Sequence, residues 1–240
     1  MSLMTDVSSA SAVPNVTWTH RALPSILDAI PVSCKSLLDI GCGRGIIGAM
    51  CRIYRGVNHL VGVDGFEPYL EFSRKAGFYD YTVLRDLNEV PLPFDTKEFE
   101  VVTCTEVIEH LSEDAGEKLL DELERIAARV IVTTPNIRFE QDEYDGNSYQ
   151  RHLSHWRPVA FRKRGYHVFG TGSLNIGYRL RGTAEKLNKR TKNNSLPGPV
   201  RGCARYISEA LGPLTRKLPE LSTSLLCVRN SLSVDQPNIE

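Results

Sequence analysis

The sequence predicts an α/β fold with a doubly wound, mostly parallel sheet. Short runs rich in β-branched and aromatic residues alternate with stretches in which apolar residues recur at the helical period. Strands that alternate with helices pair in parallel through right-handed crossovers, and the helices then cover both faces of the sheet. Because ligands bind such sheets at the carboxyl ends of the strands, chemically active residues are expected there.

Seven strands are predicted along the chain: Ser36–Ile40, His59–Asp64, Tyr81–Leu84, Phe99–Cys104, Val130–Thr134, Tyr166–Gly170 and Ser224–Arg229. Each is a short apolar run bounded by glycine, proline or polar residues. The clearest helix is predicted over 113–129, where apolar residues share one face and charged residues occupy the other. This amphipathic helix is expected to cover one face of the sheet.

The chain of 240 residues is long enough for one sizeable core, and residues 16–240 are predicted to form a single domain. Residues 1–15 are rich in Ser and Ala without periodicity and are predicted to be a flexible tail. A basic helical insertion is predicted at about 178–221, before the last strand.

The net charge is zero, but the charge is unevenly distributed along the chain. Residues 151–217 contain 15 Lys and Arg against two acids, so this segment carries +13 and the rest carries −13. The asymmetry favours an anionic partner such as a nucleic acid, a phosphorylated substrate or a membrane surface. A solvated basic face that merely balances the acidic half is the alternative interpretation.

No apolar run approaches the length of a membrane span, and the start of the chain lacks the pattern of a secretory signal, so a cytoplasmic location is predicted. Peripheral contact with a membrane remains open. The six cysteines include no C-x-x-C pair, which argues against a zinc knuckle and a disulfide framework and predicts reduced thiols.

A glycine-rich loop follows the first predicted strand, in the order Asp39-Ile40-Gly41-Cys42-Gly43-Arg44-Gly45. Glycines there let the backbone pass close to a ligand and present amides at a helix N-terminus. The spacing also fits the dinucleotide pattern G-x-G-x-x-G, which is weak alone. Asp39 distinguishes the two ligands, because a carboxylate suits the ammonium and sulfonium of S-adenosylmethionine and repels a pyrophosphate.

Two further acids follow the next two strands. Asp64 ends the second strand, where it could accept hydrogen bonds from two ribose hydroxyls. Asp86 follows the third strand, where it could accept from an adenine amino group while Leu87 packs on the ring. Three acids at successive strand ends therefore predict a nucleoside site.

Residues 36 to about 170 resemble the class I S-adenosylmethionine-dependent methyltransferase family, which has a D-x-G-x-G-x-G loop and acids after its second and third strands. The resemblance implies a seven-stranded Rossmann-like sheet with an antiparallel last strand. It also implies that Asp39, Gly41, Gly43, Asp64 and Asp86 contact the cofactor. The predicted cofactor site also includes their neighbours Cys42, Gly65 and Leu87, and Cys104 at the end of the fourth strand.

The fourth strand leads into Glu106-Val107-Ile108-Glu109-His110. If a helix opens here, Glu106, Glu109 and His110 share one face, and two carboxylates and an imidazole could hold a divalent cation such as Mg²⁺ or Mn²⁺. The E-x-x-E-H element is similar to that of ubiquinone-pathway O-methyltransferases and small-RNA 2′-O-methyltransferases, where it ligates a metal. In the RNA enzymes a later His, four residues before a Trp, completes the site, as His152 would here before Trp156.

The alternative is that His110 only lines the pocket, as in metal-free members of the wider family. Residues 136–156 are long and polar enough to form a lid over the acceptor. We therefore expect O-methylation of a small-molecule, saccharide or lipid-linked hydroxyl, with Glu106, Glu109, His110 and His152 as catalytic residues. Ribose 2′-O-methylation of RNA through the basic C-terminal third, and a non-catalytic cofactor-binding scaffold, are the alternatives. The oligomeric state is left open.

Overall fold

A seven-stranded sheet organises the chain in a computed structural model that describes residues 17–138, 140–143, 145–174 and 212–231. In chain order the strands are β1 (Ser36–Ile40), β2 (His59–Asp64), β3 (Tyr81–Leu84), β4 (Phe99–Thr105), β5 (Ala127–Pro135), β6 (His167–Leu174) and β7 (Ser222–Asn230). Their order in the sheet is β3-β2-β1-β4-β5-β7-β6, with β7 antiparallel to both of its neighbours and the remaining pairs parallel. This confirms the predicted fold class.

Helices cover both faces of the sheet. In chain order they are α1 (Thr17–Ala29), α2 (Ile46–Arg55), α3 (Glu67–Ala76), α4 (Glu113–Ile126), α5 (Pro158–Lys163) and α6 (Gly212–Lys217). Residues of α4 and α5 pack into one apolar cluster, and residues of α1, α2 and α3 pack into a second. Short 3-10 helices lie at Ile108–His110, Ser148–Gln150 and Pro219–Leu221.

Alternate residues of the central strands divide between the two clusters. Leu38 and Val102 belong to the first cluster, whereas their chain neighbours Leu37 and Val101 belong to the second. Successive side chains of a strand point to opposite faces, so a sheet covered on both sides needs apolar residues at every position. The strands therefore read as continuous apolar runs in the sequence.

The predicted helix 113–129 is wrong in its last three residues, because α4 ends at Ile126 and β5 begins at Ala127. Ala127 pairs with Phe99 of β4, and Lys97 Nζ donates to the carbonyl oxygens of Glu124 and Ala127 at 2.6 and 2.8 Å. Alanine favours helices, so the helical pattern in the sequence continued beyond the residue where α4 ends. Pairing with a distant strand decided the boundary.

Part of the basic C-terminal third is neutralised within the fold. The Arg164 guanidinium forms ion pairs with three acids of α4, which are Glu117, Asp121 and Glu124. Arg162 pairs with Glu220, beside α6. These ion pairs agree with the interpretation that part of the basic segment balances the acidic half.

Several predictions fall wholly or partly outside the described residues. They are the tail at 1–15 and most of the basic insertion at 178–221, of which only α6 and the turn that follows it are described. Across the described ranges, no helix has both the length and the apolar character needed to cross a bilayer.

Candidate active site

A cavity opens at the carboxyl ends of β1, β2 and β4. This is the position where ligands bind in doubly wound sheets. Of the residues predicted to contact the cofactor, six line this cavity, namely Gly41, Gly43, Asp64, Gly65, Asp86 and Leu87. The fold therefore brings these six strand-end residues together around one cavity, as the sequence predicts.

The glycine loop can turn tightly beside the cavity because Gly41 and Gly45 have no side chains. Gly41 has a φ of +67°, and a Cβ atom there would lie 2.2 Å from Cγ2 of Val107. Gly45, at the N-terminus of α2, has a φ of +89°. Left-handed backbone is accessible to glycine at little cost, so the chain can turn sharply between β1 and α2.

Asp64 is fixed by two backbone amides. The Gly43 amide donates to Oδ2 at 2.8 Å and the Phe66 amide donates to Oδ1 at 2.9 Å. Burial raises the pKa of this carboxyl, while the amides oppose the shift. Each carboxylate oxygen has more than one acceptor site, so Asp64 can still accept hydrogen bonds from a ligand in the cavity.

Asp86 and Leu87 line another side of the cavity, where the sequence predicts the adenine. Oδ1 of Asp86 accepts a hydrogen bond from the Asn88 amide at 2.9 Å, and the Tyr149 hydroxyl lies 3.4 Å from Oδ2. Leu87 is mostly buried and offers an apolar surface to the cavity. The pair therefore combines an acceptor with an apolar wall, as an adenine requires.

Asp39 lies behind the cavity rather than in its lining. Its side chain is buried, and it accepts hydrogen bonds from the Tyr79 hydroxyl at 2.6 Å and the Thr103 hydroxyl at 2.9 Å. Burial raises the pKa of Asp39 to about 6, against the effect of these hydrogen bonds. Cys42 and Cys104 are also buried outside the lining. Direct contact of these three residues with the cofactor stays a prediction.

The residues after β4 do not open a helix, and this expectation is wrong. Glu106 has a φ of +52°, and its amide donates to the Thr133 carbonyl at 3.0 Å, which continues the pairing with β5. A 3-10 turn follows at Ile108–His110, and α4 begins only after Ser112, whose hydroxyl accepts from the Ala115 amide at 3.2 Å. Glu106 and His110 nevertheless both line the cavity.

Glu109, His110 and His152 form a cluster at the edge of the cavity, which His110 also lines. One ligand atom from each of them lies within 4.8 Å of the others, and the two imidazole rings are 5.0 Å apart. Glu109 is buried, and Oε2 accepts a hydrogen bond from the Thr134 hydroxyl at 3.0 Å. The cluster thus brings together three of the four predicted metal ligands, while Glu106 lies outside it.

Burial controls protonation in this part of the site. It raises the pKa of Glu106 to about 7. The pKa of Glu109 is raised well above its usual range, first by burial and then by the charge of Glu106. Burial also lowers the pKa of His110 to about 4. At neutral pH the imidazole is therefore uncharged, and burial favours the protonated form of Glu109.

Several residues that line the cavity were not predicted from the sequence. Val107 and Leu111 are apolar residues between the predicted acids and the helix, so no polar pattern marked them. Tyr69 comes from α3, and Asn147, Tyr149 and Gln150 come from the loop after β5. The predicted lid at 136–156 was the one available signal for the last three, because it indicated their segment without indicating which residues face the cavity.

Comparison with known proteins agrees with this geometry. A family model described as a methyltransferase domain matches residues 38–129. Ubiquinone biosynthesis O-methyltransferases from Hahella chejuensis and Aeromonas salmonicida are 37% and 30% identical to 40% and 55% of this chain, and the matches cover 43% and 62% of those relatives. A small RNA 2′-O-methyltransferase from Mus musculus is 32% identical over 44% of this chain and 30% of its own.

The chain thus spans about half the length of the first two curated relatives. Among solved structures, a chain in the complex of the Haloferax volcanii Trm112 methyltransferase activator with a methyltransferase has a TM-score of 0.58 at 17% identity, over 89% of each chain. An S-adenosylmethionine-dependent methyltransferase from Archaeoglobus fulgidus has a TM-score of 0.51 at 18% identity, over 89% of this chain and 91% of that one. At these identities the similarity shows the fold alone.

The sheet order, the glycine loop and the strand-end acids agree with the class I methyltransferase resemblance seen in the sequence. The family and relative matches support this resemblance, and residues 38–129 are similar to a methyltransferase domain.

Proposed function

We propose that this chain transfers a methyl group from S-adenosylmethionine to the hydroxyl oxygen of a small-molecule, saccharide or lipid-linked acceptor. The observation that supports the proposal best is the composition of the cavity. Glu106 and His110 line the same cavity as Gly41, Gly43 and Asp64, so proton-accepting groups stand next to the nucleoside site. A non-catalytic scaffold that only binds the cofactor would not need Glu106 and His110 at this position.

The hydrogen bond of His110 sets its tautomer. Nδ1 lies 3.1 Å from the carbonyl oxygen of Arg151, and a carbonyl can only accept, so Nδ1 carries the proton. Nε2 then carries the lone pair of the ring, and the low pKa keeps the ring neutral. In the proposed reaction the neutral ring lies beside the acceptor hydroxyl and helps to orient its oxygen, while the hydroxyl proton points towards Glu106.

Glu106 is the proposed general base. A base works best when its pKa is near the operating pH, and burial brings the pKa of Glu106 to about 7. The acceptor oxygen forms a bond to the methyl carbon, the carbon–sulfur bond breaks, S-adenosylhomocysteine leaves, and the hydroxyl proton passes to Glu106. The reacting atoms must be held about 3 to 3.5 Å apart and in line, so much of the rate enhancement is positional.

Glu109 and His152 are proposed to position His110, and they could also hold a divalent cation with it. A carboxylate and two imidazoles suit Mn²⁺ better than Mg²⁺, which prefers oxygen ligands. Such a cation would act as a Lewis acid that lowers the pKa of the acceptor hydroxyl. Titration of the chelated protein with Mn²⁺ tests this proposal, and a Glu109→Gln variant that binds Mn²⁺ as tightly as the wild type would contradict it.

RNA is the second candidate acceptor, as a ribose 2′-hydroxyl. The observation that favours it is the position of His152, which stands four residues before Trp156 and beside His110, as the resemblance to small-RNA 2′-O-methyltransferases predicts. The identity to the mouse small RNA enzyme agrees with this candidate. An RNA acceptor would give activity that falls steeply with salt, whereas a small neutral acceptor would not.

The experiment that tests the function uses S-adenosylmethionine with a labelled methyl group and a panel of phenols, saccharides, polyprenyl-linked alcohols and short RNAs. We expect one class to be labelled, and we expect Glu106→Gln and His110→Ala to lower turnover by about 10²-fold or more, as removal of acid–base groups does. Both variants should still bind S-adenosylhomocysteine. Label incorporation that is equal in wild type and both variants would contradict the proposed roles, and labelled nitrogen or carbon would contradict O-methylation.

A further inference from the structure

Tyr149 lies over the nucleoside side of the cavity, although it belongs to the loop that follows β5. A Cβ atom on Gly65 would lie 3.2 Å from Cε2 and Cζ of its ring, so the ring packs directly on the glycine after β2. Its hydroxyl lies 3.4 Å from Oδ2 of Asp86. Tyr149 therefore spans the ends of the two strands whose acids are expected to hold ribose and adenine.

The backbone that carries this ring is held in place by polar contacts. Asn147 is only 1% exposed, and its Oδ1 accepts a hydrogen bond from the Tyr149 amide at 3.0 Å. The side chain of Gln141 donates through Nε2 to the backbone carbonyl of Gln150 at 2.8 Å. The backbone carbonyl of Gln141 accepts a hydrogen bond from the His152 amide at 3.1 Å. The turn is thus built to present the ring at one position rather than to let it move freely.

Residues 145–151, here called the latch segment, also contact the glycine loop. Arg44 of that loop forms an ion pair with Asp145 at 2.6 Å, and its guanidinium stacks over Tyr69 at 5.2 Å from the ring centre. At the other end of the latch segment, the Arg151 carbonyl lies 3.1 Å from Nδ1 of His110. The seven residues of the latch segment therefore connect the nucleoside site to the imidazole of His110.

We propose that Tyr149 is a cofactor-positioning residue that forms the outer wall of the nucleoside site, and that the latch segment transmits cofactor binding to His110. The inference rests on the proposed function, since it assigns His110 to the reaction. An adenosine held by Asp64 and Asp86 would lie against the Tyr149 ring, where stacking does not depend on the hydroxyl. Cofactor binding then adds a contact that stabilises the latch segment in this arrangement, and with it the Arg151 carbonyl that sets the tautomer of His110.

The affinity test is calorimetric titration with S-adenosylhomocysteine. Tyr149→Ala should weaken binding about tenfold or more, in line with the loss of an aromatic stacking partner. Tyr149→Phe should remain within about threefold of wild type, because the ring persists and the hydroxyl contact with Asp86 is long. Tyr54→Ala is the matched control, since Tyr54 is an exposed tyrosine of α2 that does not line the cavity.

The transmission test is hydrogen–deuterium exchange of peptides that contain residues 145–152. S-adenosylhomocysteine should slow amide exchange there in the wild type and in Tyr54→Ala, and should do so much less in Tyr149→Ala at equal saturation. Protection of the glycine loop should persist in all three proteins, which separates loss of transmission from loss of binding.

Tyr149→Ala with wild-type affinity would overturn the positioning role, and wild-type protein whose latch segment exchanges equally fast with and without ligand would overturn the transmission. A wild type that fails to bind S-adenosylhomocysteine would overturn the cofactor assignment as well. Failure of this inference alone therefore gives a different result from failure of the proposed function.

Discussion

Asp39 and Asp64 end neighbouring strands, yet the fold gives them different roles. Asp39 is buried and hydrogen-bonded to two hydroxyls, whereas Asp64 is held by backbone amides at the edge of the cavity. A sequence pattern locates both residues at strand ends but does not show which way each carboxylate points. The two residues therefore call for different experiments.

Asp64→Ala should weaken binding of S-adenosylhomocysteine by about 10²- to 10⁴-fold. A hydrogen bond to a charged group contributes about 1.5 to 3 kcal/mol, and the ribose would lose two such bonds. Calorimetric titration measures the effect, with Asp28→Ala as the control because Asp28 is exposed on α1. Equal affinities of Asp64→Ala and the wild type would remove Asp64 from the cofactor site.

Asp39→Asn should change how stability depends on pH. The folded pKa of Asp39, about 6, lies above its ordinary value of 3.8, so folding favours the protonated form. Protonated Asp39 therefore contributes to the free energy of unfolding below about pH 4, and this contribution is lost as the pH rises through 6. The difference between the two pKa values corresponds to about 3 kcal/mol. Relative to Asp39→Asn, the wild type should therefore lose about 3 kcal/mol of unfolding free energy between pH 4 and pH 7.

Urea denaturation at both pH values measures this difference, and Asp28→Asn provides the control for a surface carboxyl. Parallel pH profiles for wild type and Asp39→Asn would contradict a raised pKa at Asp39.

Residues marked by local spacing were predictable, and residues that reach the cavity from distant parts of the chain were not. Gly41, Gly43, Asp64 and Asp86 follow strands directly, so the strand pattern identified them. Tyr149 arrives from a loop more than 60 positions beyond Asp86, and its role depends on how that loop folds back. Only tertiary structure supplies that information.

At the scale of elements, the packing of α4 against the Ile108–His110 turn supports the chemical side of the site. Gly116 of α4 faces the indole of Trp156, and a Cβ atom there would lie 2.4 Å from Cζ2. The indole Nε1 in turn donates to the Ile108 carbonyl at 3.2 Å and to the Ser154 hydroxyl at 2.8 Å. The glycine thus lets Trp156 hold the turn that carries Glu109 and His110.

Gly116→Ala should destabilise the protein by about 1 to 3 kcal/mol, because overpacking outweighs the gain of about 1 kcal/mol in helix propensity. Displacement of Trp156 should also lower turnover while leaving affinity for S-adenosylhomocysteine unchanged. Urea denaturation and cofactor titration measure the two effects, and Lys118→Ala, an exposed position of the same helix, is the control. A variant more stable than the wild type would contradict the packing account.

Elements were predictable where their pattern is local. β1, β2 and β3 match the predicted boundaries, since short apolar runs ended by turn residues define buried strands. The boundary between α4 and β5 was not predictable, because Ala127 and Arg129 take extended backbone only through pairing with β4. The turn at Ile108–His110 was missed for a similar reason, since Glu106 is held in left-handed backbone beside β5.

At the scale of the whole molecule, the order of the strands brings the site together. β1, β2 and β4 are neighbours in the sheet although long stretches separate them in sequence, and their carboxyl ends place the glycine loop, Asp64 and Glu106 around one cavity. The doubly wound topology was predicted from the alternation of strands and helices. The acceptor depends on side chains around the opening, for which no general pattern exists.

We expect this crevice to take a sulfonium nucleoside rather than a dinucleotide, although the spacing of Gly43, Gly45 and Gly48 fits both ligands. Calorimetric titration of the wild-type protein with S-adenosylmethionine, and separately with NAD, distinguishes the two ligands. We expect saturable 1:1 binding of S-adenosylmethionine and no detectable binding of NAD. Binding of NAD without binding of S-adenosylmethionine would contradict the account.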